Sequence, residues 1–216
     1  MPQLIAMVIV VVGAMIYMFQ TFGGTGDKIE GIAQKTSVVT EINNIKNGLK
    51  LAARAEHISS ATTPAGDAKK DLKGLGQLAY FPEQINDQVT NNADTNAYYA
   101  ISFGGAKDTV GGMTLKLVAP AAVSSVKMIP GIYVDLTVGS LKDNAAFLES
   151  QISTDLADIA FIDRKANSAT AAATARGTAS DLEKRTPGDS TAGTDSDGKF
   201  IIYFKDFGAN EVVINN

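Results

Sequence analysis

Residues 4–19 read LIAMVIVVVGAMIYMF, a run of 16 residues without a charged or strongly polar side chain. No Asp, Glu, Lys or Arg occurs before Asp27. As a helix the run is about 24 Å long, compared with about 30 Å for the core of a bilayer. Residues 8–12 are all Val or Ile and point in every direction around such a helix, whereas helices on soluble domains keep a polar face. We therefore expect a helix that spans a membrane or packs among copies of itself, with a hydrophobic hairpin or core element as the alternative.

The composition of the remaining chain is typical of a small domain with a polar surface. The 216 residues suffice for one domain and an N-terminal helix, and the net charge of −4 argues against nucleic acid as a partner. The chain has no cysteine, which excludes disulfides and thiolate chemistry. After residue 60 it is rich in Ala, Thr, Ser, Asn, Asp and Gly and has no tryptophan, which favours an anchored extracytoplasmic domain over a dense enzyme core.

Three glycines, Gly23, Gly24 and Gly26, follow the apolar run and predict a break or an extensible segment. Each glycine costs a helix about 1 kcal/mol relative to alanine. From Asp27 to about His57 apolar residues return at steps of three and four, which predicts an amphipathic helix that packs on a globular domain. Its stripe consists of Ile29, Ile32, Thr36, Val39, Ile42, Ile45, Leu49 and Ala52.

The sequence thus divides into a hydrophobic segment, residues 1–26, an amphipathic helix, residues 27–58, and a globular head, residues 59–216. In the head, alternating β-branched and aromatic residues predict a half-buried antiparallel sheet. Its expected strands are Ala97–Phe103, Met113–Val118 and Gly131–Val138, followed by a C-terminal hairpin of Lys199–Phe204 and Glu211–Ile214. Helices are expected near Leu72–Leu78 and over Asp143–Lys165. The predicted fold class is α+β, with a long N-terminal hydrophobic helix packed on an antiparallel sheet and an additional helix in the C-terminal half.

Chemical motifs are few, and each has a plain structural interpretation. The single histidine, His57, lies near the end of the amphipathic helix and has no cysteine or nucleophile partner in a recognisable pattern. The glycine pairs at 104–105 and 111–112 do not join a strand to a helix, so they do not form a phosphate loop. We therefore expect no catalytic residues and no enzyme activity.

The segment Thr194–Gly198, TDSDG, resembles half a calcium loop. Asp195 and Asp197 supply oxygen ligands at alternate positions, and Gly198 permits a sharp turn. The third ligand position and the terminal glutamate of an EF-hand are missing, so a plain Asp-Gly turn is the alternative. The Ser- and Thr-rich stretch at residues 168–178 is a compositional candidate for O-glycosylation on an exposed surface.

These features resemble a bacterial type IV pilin or a type II secretion pseudopilin, in particular the larger type IVb subgroup. The resemblance rests on the apolar run, the glycine-rich break and the amphipathic continuation, and it covers Met1 to about Arg54. It implies the major structural subunit of an extracellular type IV pilus, assembled by bundling of the N-terminal apolar helices. The implied filament-core residues are Met1, Leu4, Ile5, Met7, Val8, Val11, Val12, Met15, Ile16 and Phe19.

The resemblance also implies a set of partners. These are copies of the same chain in a helical homopolymer, the inner membrane before assembly, a prepilin peptidase that removes a basic leader, and the pilus assembly machinery. Localisation is then the pilus on the bacterial cell surface, with an inner-membrane pool. Pseudopilins hold calcium in C-terminal loops, which leaves calcium as the one cofactor to test. Adhesion, motility, DNA uptake, conjugation and phage reception all use similar subunits and stay open.

Two departures from the family pattern bear on this interpretation. Ile5 stands where the family usually places a glutamate that meets the N-terminal amine of a neighbouring subunit, and some tip pseudopilins also lack this glutamate. The chain has no cysteines for the disulfide that closes the C-terminal region of many pilins, so packing, a metal or intersubunit contacts must hold that region. The alternatives are therefore a minor or tip pseudopilin and a membrane-anchored extracytoplasmic ligand-binding domain.

Overall fold

A computed structural model describes residues 31–60, 66–121, 126–178 and 181–211 of the chain. The chain forms two compact units, Met1–Thr36 and Ser37–Asn216. Within the first unit only residues 31–36 are described, and they are helical. The second unit contains the sheet and the hydrophobic core that the described residues form.

The described secondary structure is α+β with an antiparallel sheet. The helices are α1 (residues 31–54), α2 (Leu72–Gln77), α3 (Glu83–Asn91), α4 (Ala145–Leu156) and α5 (Asp181–Lys184), with 3₁₀ turns at Ile101–Phe103 and Gly139–Asn144. The strands are β1 (Tyr98–Tyr99), β2 (Thr114–Val118), β3 (Gly131–Asp135), β4 (Ala160–Asp163) and β5 (Lys199–Phe204). Their order across the sheet is β1-β2-β3-β5-β4, and every neighbouring pair is antiparallel.

The part of the predicted apolar stripe from Ile42 to Ala52 packs into the core of the second unit, whereas Ile32 of the first unit is exposed. Ile42, Ile45, Leu49 and Ala52 are fully buried there, at the three- and four-residue steps that place side chains on one helix face. Burying an isoleucine or leucine contributes about 1.5–3 kcal/mol relative to leaving it in water. Packing of this stripe, rather than helix propensity, therefore provides most of the stability of α1.

The prediction of a fold built on a long apolar N-terminal helix is wrong for the chain as the structure describes it. The first described helix is α1, over residues 31–54, and it is amphipathic because Glu41, Lys46, Lys50 and Arg54 interrupt its apolar residues. In residues 31–60, 66–121, 126–178 and 181–211, no helix combines the length and the apolar character needed to cross a membrane. The run at residues 4–19 lies outside the described residues.

The central strands are buried on both faces, unlike the half-buried sheet that the sequence predicts. Lys46 of α1 lies 4.5 Å from the centre of the Phe204 ring, so the face that carries Phe204 is turned toward α1. On the opposite face the Tyr133 hydroxyl donates to the backbone oxygen of Asn167 at 3.2 Å. The low-complexity stretch that begins at Ala166 thus covers the second face, which explains the burial of Gly131 to Val134 without alternation.

The predicted helix over Asp143–Lys165 is too long. Helix α4 ends at Leu156, and Ala160–Asp163 form β4, which pairs with β5 from Ala160 opposite Phe204 to Asp163 opposite Ile201. Ile159 and Ile162 continue the helical spacing, but this segment pairs as a strand with the edge of β5 that β3 leaves open. The helical spacing of these two residues is therefore a coincidence. The C-terminal hairpin is also not observed within the described residues, since β5 pairs with β3 and β4.

Candidate functional site

Between Thr40 and Leu51 the exposed positions of α1 carry no charge, whereas Arg54, three residues after Leu51, is exposed and pairs with Glu211. Thr40, Asn44, Asn47 and Leu51 follow one another at steps of four, three and four residues and form what we term the neutral stripe. Thr40, Asn47 and Leu51 are exposed, and Leu51 retains 54% of its accessible surface. An exposed leucine flanked by small amides and a threonine is unusual for a solvated helix face, which normally carries charges.

The basic side chains of α1 within the second unit, Lys46, Lys50 and Arg54, are directed to the C-terminal end of the described chain instead. Lys46 Nζ lies 2.8 Å from Asp206 Oδ2, and Lys50 Nζ lies 3.4 Å from the same oxygen. Lys50 Nζ is also 3.9 Å from Glu211 Oε2, and the Arg54 guanidinium binds Glu211 Oε1. We call these five residues the C-terminal clasp. The three cations of the clasp, Lys46, Lys50 and Arg54, are four residues apart and therefore lie in one row along α1.

Glu211 is the most buried member of the clasp. Its side chain is 7% exposed, its Oε1 accepts a hydrogen bond of 3.1 Å from Arg54 Nε, and its Oε2 accepts one of 2.9 Å from the Gly208 backbone N–H. Burial acts to raise the pKa of the Glu211 carboxyl, but the hydrogen bonds from Gly208 and Arg54 and the nearby positive charges outweigh it. The pKa of Glu211 is therefore below its ordinary value.

The pKa of Asp206 is likewise below its ordinary value. Burial acts to raise the pKa of Asp206, and the hydrogen bond and charge of Lys46, with those of Lys50, lower it below the ordinary value. Between the two acids, Phe207 is 3% exposed and inserts into the core. The clasp and this aromatic side chain hold the C-terminal segment on α1, in the region where the sequence offers no disulfide.

A second buried acid, Glu149 on α4, orders the turn in which calcium is predicted. Its Oε1 accepts hydrogen bonds from Arg164 Nε at 2.8 Å and from the Ser196 N–H at 2.9 Å. Its Oε2 accepts one of 2.8 Å from the Gly198 N–H. Ser196 and Gly198 both have left-handed backbones, with φ of +65° and +83°. The carboxylate thus fixes the sharp turn that leads into β5.

The two predicted calcium ligands occupy different environments in this turn. Asp197 Oδ1 accepts a hydrogen bond of 2.9 Å from the Lys199 N–H, as in an Asx turn. Asp195 is exposed and lines an open groove of about 680 Å³ together with Asp163 and Asp189. Across the described ranges no three His, Asp or Glu side chains are grouped to hold a metal ion. Calcium binding stays a prediction, and thermal melting with and without calcium is its test.

A third buried acid, Glu41, joins α1 to the beginning of the sheet. Its Oε2 accepts a hydrogen bond of 2.6 Å from the Tyr98 hydroxyl, and its Oε1 accepts one of 2.9 Å from the Ser102 N–H. The Tyr98 oxygen in turn accepts from the Ile101 N–H at 3.1 Å. Burial, with the hydrogen bond to Glu41, raises the pKa of Tyr98 far above its ordinary value. Sequence reasoning missed Glu41 and Glu149, because their partners are distant in the chain.

The other residues that the sequence singles out do not lie together in one site. His57 Nδ1 lies 2.5 Å from the Tyr80 hydroxyl, a contact between two half-buried side chains near the end of α1. The predicted filament-core residues from Met1 to Phe19 and the predicted break at Gly23, Gly24 and Gly26 lie outside the described residues. In the stretch proposed for glycosylation, Ser168, Thr170, Thr174 and Thr178 are exposed.

Comparison with known proteins gives no family. The chain matches no family model, no curated protein and no solved structure. Its function must therefore be inferred from its own residues.

Proposed function

We propose that this chain is a structural subunit of an extracellular filament of the type IV pilus class. The observation that carries the proposal is the division of charge on α1. All four charged residues between positions 37 and 54 bind groups of the same domain, and none stands between Thr40 and Leu51 in the neutral stripe, which ends before the exposed Arg54. The neutral stripe is suited to pack against a second helix, because no charged side chain lies on it between Thr40 and Leu51 to be desolvated at the contact.

The occupant that we propose for the neutral stripe is a second copy of this chain. Helices pack at interaxial distances of about 8–10 Å when the side chains at the contact are small or medium-sized, as Thr40, Asn44 and Asn47 are. The uncharged segment at residues 4–19 supplies a further apolar surface that association removes from water, at about 25 cal/mol per Å² of apolar area. A filament requires that these surfaces meet in a heterologous, non-closing contact, since an isologous contact would close a dimer.

The first experiment is electron microscopy of fibres sheared from cells, with mass spectrometry of their main component. Thin fibres composed chiefly of this chain support a major subunit. A trace amount in fibres made of another chain supports the minor or tip pseudopilin, for which Ile5 is the sequence argument. A chain found only as a monomer in membranes contradicts the filament and favours the anchored ligand-binding domain.

A substitution in the neutral stripe tests the surface itself. Leu51→Glu adds a charge that must be desolvated at the proposed contact, and we expect fibre yield to fall by at least about tenfold. Leu51→Gln is the matched control, because it has nearly the same size without the charge and should retain most fibres. Equal fibre yields from the two variants, with equal thermal stability, contradict a contact at Leu51.

A further inference from the structure

A second groove, of about 430 Å³, lies between α3 and the glycine-rich loop after Ile101–Phe103. Gln84, Asp87 and Asn91 line it from the helix, and Ile101, Ala106 and Lys107 line it from the loop side. We propose that this groove, termed the α3 groove, binds a neutral saccharide. The inference does not depend on the filament function, since it concerns a single copy of the chain.

Side-chain hydrogen bonds to the backbone brace the helix wall of the α3 groove. Gln88 Nε2 donates to the Tyr99 oxygen at 2.6 Å, and the Tyr99 N–H donates to Gln88 Oε1 at 2.7 Å. This reciprocal pair fixes α3 against β1. A groove with walls that are already fixed loses little conformational entropy when a ligand binds.

The loop wall is fixed as well. The Asp108 N–H donates to Asn92 Oδ1 at 3.2 Å, and the Ala93 N–H donates to Asp108 Oδ1 at 2.7 Å. Gly105 has no room for a side chain, because a Cβ there would overlap the Tyr99 backbone oxygen. These contacts join the loop to the end of α3 and keep the two walls at a constant separation.

The glycine-rich loop is not built for a phosphate. The N–H groups of Gly104, Gly105 and Ala106 donate to the backbone oxygens of Ile101, Ala100 and Thr109 at 2.9, 3.0 and 3.0 Å. An anion site requires a row of N–H groups that point at the ligand. Because these three are used within the loop, the recognition chemistry of the groove comes from its side chains.

Those side chains suit a ligand with many hydroxyl groups. Gln84, Asp87 and Asn91 are exposed and follow one another at steps of three and four residues, so they lie on one face of α3. The Gln84 and Asn91 amides offer donors and acceptors, with one Asn91 N–H already given to the Asp87 backbone oxygen at 2.8 Å, and the Asp87 carboxylate accepts from paired hydroxyls. Ile101 and Ala106 add apolar surface for the carbon face of a sugar ring.

The charge and size of the groove narrow the ligand class further. Asp87 and Lys107 are the two charged residues of its lining, and their charges cancel, which favours a neutral ligand over an acidic one. Small-molecule sites usually measure about 300–1,000 Å³. A groove of about 430 Å³ is therefore of the right size for one or two sugar rings.

The test is saturation-transfer NMR on the full chain in phosphocholine micelles, with lactose, cellobiose and N,N′-diacetylchitobiose as probes. We expect a saturation-transfer signal from at least one disaccharide. Gln84→Ala and Asp87→Ala should each weaken the affinity for that disaccharide at least about tenfold. Glu83→Ala is the matched control, because Glu83 is an exposed α3 residue outside the groove and its removal should leave transfer unchanged.

Three results overturn the inference. The first is the absence of a saturation-transfer signal from all three disaccharides at concentrations of about 10 mM. Any dissociation constant would then be above the millimolar range, which is too weak for a built site. The second is transfer that is equal in wild type and both groove variants, which places the sugar elsewhere. The third is displacement of the sugar by inorganic phosphate, which assigns the groove to anions. Thermal melts of each variant check that the substitutions at these exposed positions leave the fold intact.

Discussion

Glu149 and Gly198 are joined by a hydrogen bond of 2.8 Å, from the Gly198 backbone N–H to a carboxylate oxygen that is fully buried. The residues are 49 positions apart in the chain, so the bond connects α4 to the turn that begins β5. Arg164 supplies the countercharge at 2.8 Å from the second oxygen. The turn that the sequence suggests as half a calcium loop is therefore ordered by a carboxylate from another element.

We expect Glu149→Gln to lower the free energy of unfolding by about 2–3 kcal/mol. The amide removes the charge that Arg164 neutralises and presents N–H groups to the Gly198 or Ser196 N–H, and buried hydrogen bonds to charged groups contribute about 1.5–3 kcal/mol. Urea denaturation of the full chain in detergent measures the change. Asp195→Asn, at an exposed position of the same turn, is the control and should alter stability by less than about 0.5 kcal/mol. Equal effects of the two substitutions contradict the role of Glu149.

The C-terminal clasp predicts an acid-sensitive stability. Asp206 and Glu211 have lower pKa values in the folded chain than in the unfolded chain, where such groups titrate at about 3.9 and 4.3. The folded state therefore binds fewer protons, and the stabilisation is fully present above these unfolded values. It is lost as the pH falls below about 4 and through the folded pKa values. Thermal melts between neutral and acidic pH measure this loss.

The double variant Asp206→Asn, Glu211→Gln identifies the groups responsible. It should lower stability at neutral pH by about 1–2 kcal/mol, a modest amount because Asp206 and Arg54 are partly solvated. As the pH falls through the lowered pKa values of the folded chain, its stability should approach that of the wild type, since the native carboxyls become protonated only there. A difference that stays constant with pH would show that the clasp does not titrate.

Two glycines allow a matched test of backbone packing. Gly139 has φ of +71°, and a Cβ there would overlap the Gly111 backbone oxygen. Gly66 has φ of +54°, and a Cβ at that position would meet no atom of the described residues within 4 Å. Gly139→Ala should therefore cost more than about 4 kcal/mol, whereas Gly66→Ala should cost only the left-handed penalty of about 1–2 kcal/mol. Similar melting temperatures for the two variants contradict the close approach of Gly139 to Gly111.

Local periodicity accounts for the predictions that the structure confirms. The stripe of α1 from Ile42 to Ala52 and the strands around Thr114–Val118, Gly131–Asp135 and Lys199–Phe204 follow from spacing and β-propensity, and the structure contains each of them. Helix α3 is not among the predicted elements, because its polar sequence EQINDQVTN buries only Ile85, Gln88 and Val89. Such a short stripe is too weak a signal to separate a helix from a loop.

Long-range contacts account for what the sequence does not reveal. The covering of the second sheet face by the stretch after Ala166 has no periodic signal, because alanine and threonine fit a surface loop as well as a core. Glu41 and Glu149 have the sequence pattern of solvated helix residues, yet both are buried with hydrogen-bond partners 15 to 61 residues away. A buried charge is predictable only when its partner groups are known, since burial without them is costly.

The bond between Tyr98 and Glu41 provides the sharpest test of such a buried contact. Tyr98→Phe removes the hydroxyl and leaves one carboxylate oxygen without its 2.6 Å donor, which should cost about 1–3 kcal/mol. Glu41→Gln removes the charge but keeps an acceptor for the Ser102 N–H, so it should cost less. In a double-mutant cycle measured by urea denaturation, the two costs should fall short of additivity by about 1 kcal/mol or more, because both substitutions disrupt one contact. Additive costs would mean that the two side chains contribute independently and that the hydrogen bond between Tyr98 and Glu41 does not hold α1 to β1.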